Sequence, residues 1–511
     1  MSQEFAKTVK DGYQFAGASI DAGRAIRGGT VFSDLPVRLP LAMMNRHGLI
    51  AGATGTGKTK TLQLLAGALS EAGVPVFLAD LKGDLSGIAR PGVPSEKLQA
   101  RCRDLAVSFN PKSHPVELLS LTGKRGAQVR ATVSSFGPLL LAKVLALNDT
   151  QQGVLTLLFK FCDDQHLPML DLPDLKAVVA YLQSLDSKQL AGYGGMSKAA
   201  LGVLNRKLVE LESQGADLFL GEPEFEIKDL LRTTPDGKGI ISILSLTDIQ
   251  DRPALFSTFM MWLLGELFHQ LPERGDVDKP VLAFFFDEAH LLFEEASRAL
   301  VNQIEQVVKL IRSKGVGVYF VTQTPKDIPA DVLAQLGNRV QHALRAFTPD
   351  DAKALKATAG TFPRTPFYEI EKELTSLGIG EALVTVLDPQ GRPTPVVATR
   401  LVPPDSFMGA LEEKDVQAVL QAGALHSRYA RAIDRESARE ILQKKMAVPQ
   451  TAGLTTQEVG QEEIPLPEPA RGRRGKPEPT MAEEILKSPL TRQIGREVVR
   501  GIFGLLKKNL R

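Results

Sequence analysis

Apolar positions recur along the chain in two distinct rhythms. Short, nearly unbroken apolar runs at 49–51, 74–80, 239–246, 280–286, 316–323 and 339–346 predict strands buried on both faces of a parallel sheet. Runs at 381–387 and 395–401, separated by Pro389-Gln390-Gly391, predict a closing hairpin. Between them, apolar residues spaced by three and four predict helices at 60–69, 138–147, 151–165, 172–185, 198–212, 253–270, 291–314 and 329–336. A further helix is capped by Thr348-Pro349-Asp350-Asp351.

Alternation of strands with helices predicts an α/β fold with a mostly parallel sheet. The sheet-containing core is expected at 46–84 and 239–402, interrupted by a helical insertion at 85–238. Residues 1–45, with a Gly28-Gly29 turn and a proline-punctuated run at 35–40, read as a lead-in of short strands and turns. After the core come a charged amphipathic helix within 403–447, a Pro-, Gly- and Glu-rich linker at 448–480, and a basic amphipathic helix at 481–511. Residues 471–511 carry eleven Lys/Arg against four Glu; the basic face suits DNA backbone or an anionic membrane, while the wide apolar stripe favours a clasp that packs on its own or a neighbouring subunit.

The chemistry concentrates where strands end. Residues 52–59 (GATGTGKT) follow an apolar run and open a helix, fitting G-x-x-x-x-G-K-[ST]. Gly52, Gly55 and Gly57 give the backbone the freedom to turn its N–H groups inward, and Ala53, Thr54 and Thr56 complete a phosphate cradle. Lys58 reaches the β- and γ-phosphates, Thr59 ligates Mg²⁺, and the phosphates lie on a helix N-terminus. Thr61 on that helix and Asp80 at the end of the next strand, with Lys82 and Asp84 beyond it, are further candidates for the nucleotide site. The run 280–290 (PVLAFFFDEAH) ends in two carboxylates: Asp287 to hold the Mg²⁺ shell, Glu288 to polarise a water for in-line attack. Gln323, closing the next apolar strand, has an amide able to bond both the γ-phosphate and that water. ATP and Mg²⁺ are therefore the expected cofactors.

Composition changes this picture little. A net charge of +2 implies no particular polyanionic partner, and two separated cysteines, Cys102 and Cys162, suit a reducing compartment and exclude a cysteine-rich metal site. The polar N-terminus and the absence of an 18-residue apolar run predict a soluble cytoplasmic protein without a membrane partner.

In the order and spacing of five motifs, the chain resembles the HerA/FtsK branch of RecA-like P-loop ATPases, most closely bacterial HerA-helicase-like proteins. The motifs are NRHGLIAGATGTGKT (45–59), FLADLKGDL (77–85), FFFDEAHLL (284–292), IRSKGVGVYFVTQTP (311–325) and LGNRVQHALR (336–345). The resemblance implies a sheet with an extra strand between the two Walker strands, ATP at the subunit interfaces of a homohexameric ring, and a central channel for DNA. It also implies that Asp287 is the Walker B aspartate, Glu288 the catalytic glutamate and Gln323 the sensor, with Arg312 or Arg345 acting in trans. The activity implied is an ATP-driven DNA translocase or helicase, the alternative being an ATPase that moves protein, as secretion ATPases do. Archaeal HerA proteins begin with a β-barrel domain for which residues 1–45 are too few, which argues against a nuclease partner.

Overall fold

The computed structural model describes residues 2–447, apart from 187–188, 191, 194–195 and 295–297. The linker and basic helix expected at 448–511 lie outside the described residues.

The strands are β1 (Ser19–Arg27), β2 (Thr30–Pro40), β3 (Gly48–Ala51), β4 (Val76–Asp80), β5 (Val116–Ser120), β6 (Ala127–Gln128), β7 (Ile241–Ser245), β8 (Leu282–Phe286), β9 (Val316–Thr322), β10 (Asn338–His342), β11 (Glu381–Thr385) and β12 (Val397–Leu401). They form one sheet in the order β2-β1-β12-β11-β10-β3-β9-β8-β4-β7-β5-β6. From β10 to β6 every pairing is parallel; from β10 to β2 every pairing is antiparallel. The strand β9 lies between β3 and β8, as the family resemblance implied.

Burial on both faces explains the unbroken apolar runs. Along β8, Phe284 and Phe286 join the core under the helices of 133–271, while Phe285 joins the opposite core with the helix Lys58–Glu71. Phe284 stacks on Phe77 at 4.2 Å between ring centroids, and Phe285 on Tyr319 at 4.8 Å. The helix Pro253–Gln270 is apolar all round and buries Trp262 completely, so it serves as core.

Four expectations need correction. The lead-in is an integral part of the sheet: the helix Ser2–Tyr13 precedes the hairpin β1–β2, which turns at Gly28 and Gly29 (φ 57° and 79°), and β1 pairs with β12. Polar residues disguised β1, because buried Arg24 is compensated by Asp21 at 2.7 Å. The stretch 85–238 is not wholly helical, since β5 and β6 extend the core sheet. Glu117 interrupts the apolar pattern of β5 but is satisfied by Arg232 at 2.8 Å and the amide of Ala424 at 3.1 Å. The single charged helix of 403–447 is three: Glu413–Ala422, Ala424–Tyr429 and Ala438–Ala447. Gly423 breaks it in extended conformation, where a Cβ would lie 2.6 Å from a Glu117 carboxylate oxygen. Likewise the helix expected at 291–314 is α-helical over Arg298–Ile311, with 3₁₀ turns at Ala289–Leu292 and Arg312–Lys314.

Candidate functional site

Parallel strands place all their C-terminal ends on one edge, and the motif residues following β3, β4, β8, β9 and β10 meet there. The loop 52–57 leaves β3 with Gly52, Gly55 and Gly57 at φ 155°, 78° and 113°. Side chains are excluded as well as disfavoured at Gly52, where a Cβ would stand 2.5 Å from that of His342. Neighbouring strands pin the loop: Gly52 N–H donates to Thr322 O (3.2 Å), Ala53 N–H to Ala343 O (2.8 Å), and Gly380 N–H to Thr56 O (2.9 Å). Within it, the Thr56 hydroxyl donates to Ala53 O at 2.7 Å. Lys58 Nζ donates to the carbonyls of Gly52 (2.6 Å) and Ala53 (3.2 Å). Thr54 is exposed at the loop's outer side, and Thr59 is half-buried in the first turn of the helix.

Two further candidates are buried within the fold. Thr61 faces the sheet, its Oγ1 2.8 Å from His342 Nε2 and 3.3 Å from Gly57 O. Burial, reinforced by Lys58, pushes the His342 imidazole down to about 4, so a neutral ring backs the loop. Asp80 is buried and turned into its own loop: Oδ1 accepts from Gly83 N–H (2.7 Å) and Oδ2 from Leu85 N–H (3.1 Å). Burial and nearby Asp84 push its carboxyl up to about 6.

On the far side of β9, Asp287 and Glu288 are 5% and 4% exposed. Asp287 Oδ1 accepts from Glu288 N–H at 3.1 Å, whereas Asp287 Oδ2 and Glu288 Oε2 are buried without a hydrogen-bond partner. Burial, then Glu288, Asp80 and Asp84, push the Asp287 carboxyl up to about 7. Glu288 adopts a left-handed backbone (φ 48°), rare for a non-glycine residue, and pairs with Lys82 through Oε1. Its Oε2 lies 3.5 Å from His290 Nδ1. Lys58 belongs to the same electrostatic group: burial lowers its ammonium while Glu288 and Asp287 pull it up.

Gln323 follows β9 and lines an open cavity of about 440 Å³ with His290, Phe293, Glu294, Thr324 and Asp327. Asp327 fixes this strand end, accepting from Thr322 Oγ1 (2.7 Å) and Thr324 N–H (2.9 Å). Of the two arginines, Arg345 lies on the loop edge of the sheet, just past β10, and donates to Thr375 O at 3.2 Å. Arg312 is exposed before β9, at the sheet's opposite edge. The structure thus groups Lys58, Asp287 and Glu288, sets Gln323 between them along the sheet edge, and separates the two arginines.

Sequence reading missed His342, Asp327 and Gly380. Asp327 follows a predicted strand on the same edge as the motifs, so aligning strand ends was the available signal for it, whereas His342 fell inside the run expected at 339–346 and ends the shorter observed strand β10. Gly380 offered none, since its contact with Thr56 spans over 300 residues.

The geometry is that of a P-loop beside a Walker B strand, and comparison with known proteins decides the family. The helicase HerA-like C-terminal family model matches residues 29–511. The chain belongs to this family. It is a HerA-type P-loop ATPase, as its motif order implied. The DNA double-strand break repair helicase HerA of Sulfolobus acidocaldarius is 22% identical over 366 residues, 71% of this chain and 67% of that protein. Its counterpart in Sulfurisphaera tokodaii is 23% identical over 361 residues, 70% and 66% of the two chains. This chain thus spans about two thirds of the length of these relatives. The bacterial conjugative coupling protein TrwB matches 79% of this chain and 99% of its own, at 15% identity and a TM-score of 0.50, a likeness of fold. Among the described residues no helix is long and apolar enough to cross a membrane.

Proposed function

We propose that the chain is a Mg²⁺-dependent ATPase motor that assembles as a homohexameric ring and moves on DNA. The observation that carries this reading is the pair of buried, unpartnered oxygens, Asp287 Oδ2 and Glu288 Oε2, grouped with Lys58. An unmet carboxylate in a buried site is costly unless a cation or a proton donor completes it. Asp287 Oδ2, buried without a hydrogen-bond partner, fits a divalent cation together with the Thr59 hydroxyl. When bound, Mg²⁺ supplies charge neutralisation for the phosphates. Glu288 Oε2 is suited to accept a proton from the attacking water, and the Gln323 amide to orient it. Nucleic acid as the substrate is supported by the relatives, both named as DNA repair helicases.

For the trans arginine, mixed rings decide. Subunits lacking Arg312 or Arg345 are combined with Glu288→Gln subunits, each inactive alone; recovery of turnover identifies the arginine that reaches a neighbour. The DNA assignment is tested by steady-state ATP hydrolysis with single- and double-stranded DNA. Stimulation by either supports it. A rate indifferent to both, in a protein that hydrolyses ATP, points to a protein substrate.

A further inference from the structure

The buried Asp80 carboxylate, which the sequence suggested for the nucleotide, does something else. Its oxygens accept backbone N–H groups of Gly83 and Leu85, folding residues 80–85 into a fixed turn at the end of β4. Gln250 secures the same turn from outside, its Nε2 donating to Leu81 O at 2.6 Å. At the crest stands Lys82, its stem half in solvent and its ammonium on Glu288 Oε1. Glu288 is 5% exposed in its side chain, so a solvent-side cation reaches in to one oxygen of an otherwise enclosed carboxylate. The other oxygen, Oε2, has no hydrogen-bond partner and lies 3.5 Å from His290 Nδ1.

We infer that Lys82 is a positioning residue for hydrolysis: held by the Asp80-anchored turn, it grips Glu288 Oε1 so that Oε2 faces the attacking water. The inference rests on Glu288 being the water-activating base. A carboxylate on a left-handed backbone, beside a second carboxylate, is repelled by its neighbour and needs a directional tether. Lys58 donates to the loop carbonyls, and His290 lies against Oε2, leaving Lys82 as the side chain that pairs with Glu288 Oε1 among the described residues. Because base misplacement by about 1 Å costs on the order of a hundredfold in rate, the tether acts on turnover and not on nucleotide affinity.

Steady-state ATP hydrolysis and nucleotide binding are measured on the full chain for the parent, Lys82→Ala, Lys82→Arg, Glu288→Gln and the double variant Lys82→Ala/Glu288→Gln. Lys82→Ala is expected to lower kcat by about ten- to a hundredfold with ATP affinity unchanged. Lys82→Arg is expected to restore much of the loss, and Lys82→Ala to add nothing in the Glu288→Gln background. An unchanged or raised kcat in Lys82→Ala overturns the inference, the rise marking Lys82 as a brake. Weakened ATP affinity at parental kcat also overturns it, making Lys82 a phosphate ligand. A Glu288→Gln variant that turns over at the parental rate removes the base assignment itself; an inactive Glu288→Gln beside a parental Lys82→Ala removes only the tether.

Discussion

The two halves of the site, on either side of β9, are satisfied in opposite ways. In the glycine loop, the carbonyls of Gly52, Ala53 and Thr56 and the amides of Gly52 and Ala53 find partners within the fold, from Lys58, β9, the residue after β10 and the 380 turn. In the acidic half, the folded chain leaves Asp287 Oδ2 and Glu288 Oε2 buried and unmet. The loop is therefore shaped by the protein alone, whereas the acidic half is built around groups the protein does not supply. Stability and function should separate along that line, with loop changes damaging both and acidic-half changes trading one for the other.

The largest effect should come from the loop. Gly52→Ala forces a Cβ to within 2.5 Å of His342 at φ 155°. Strain of this kind costs about 1–3 kcal/mol before the clash is counted. Calorimetry should give a lower Tm, and nucleotide binding should fall more than about tenfold as the cradle shifts. A parental Tm would mean that the loop is less tightly held than its contacts imply.

A smaller effect of opposite sign is expected at Asp287. Asp287→Asn removes a buried charge crowded by Glu288, Asp80 and Asp84 while keeping its shape. In Mg²⁺-free buffer it should stabilise the fold by about 1–3 kcal/mol, read from denaturant unfolding, while Mg²⁺-dependent hydrolysis is lost. Destabilisation would show that the carboxylate is already compensated.

A further effect is a pH slope. His47 and His342 are fully buried and held down to about 4, below the ordinary 6.5, by desolvation. Both are neutral in the folded state, so the unfolded chain takes up protons first as pH falls. Their contribution to stability is complete above about 6.5 and is lost on acidification towards 4, by about 1.4 kcal/mol per pH unit for each. His342→Gln, which can still bond Thr61, should reduce the slope of stability between pH 6.5 and 4; an unchanged slope would contradict neutral burial.

How much of this was legible depended on whether a residue's partner was local. The strands β3, β4, β7, β8 and β9 are apolar on both faces and announced themselves, as did the helix Pro253–Gln270, matched to its ends. The strands β1 and β5 did not, because Arg24 and Glu117 look like solvent-facing residues until their buried partners are known. Glycines 52, 55 and 57 could be placed from the motif alone. Asp80 could be placed at a strand end, but not its turn-anchoring bonds, which depend on the path of residues 82–85. His342 was invisible because its role comes from β10 lying beside β3, a pairing across nearly 300 residues.

The division between a loop that binds and an acidic pair that hydrolyses is tested most directly by measuring ATP binding and turnover on the same preparations of Lys58→Ala and Glu288→Gln. Lys58→Ala should lose ATP binding. Glu288→Gln should bind ATP as the parent does and hydrolyse it roughly a hundredfold or more slowly. Parental turnover in Glu288→Gln, or undiminished binding in Lys58→Ala, would contradict the account.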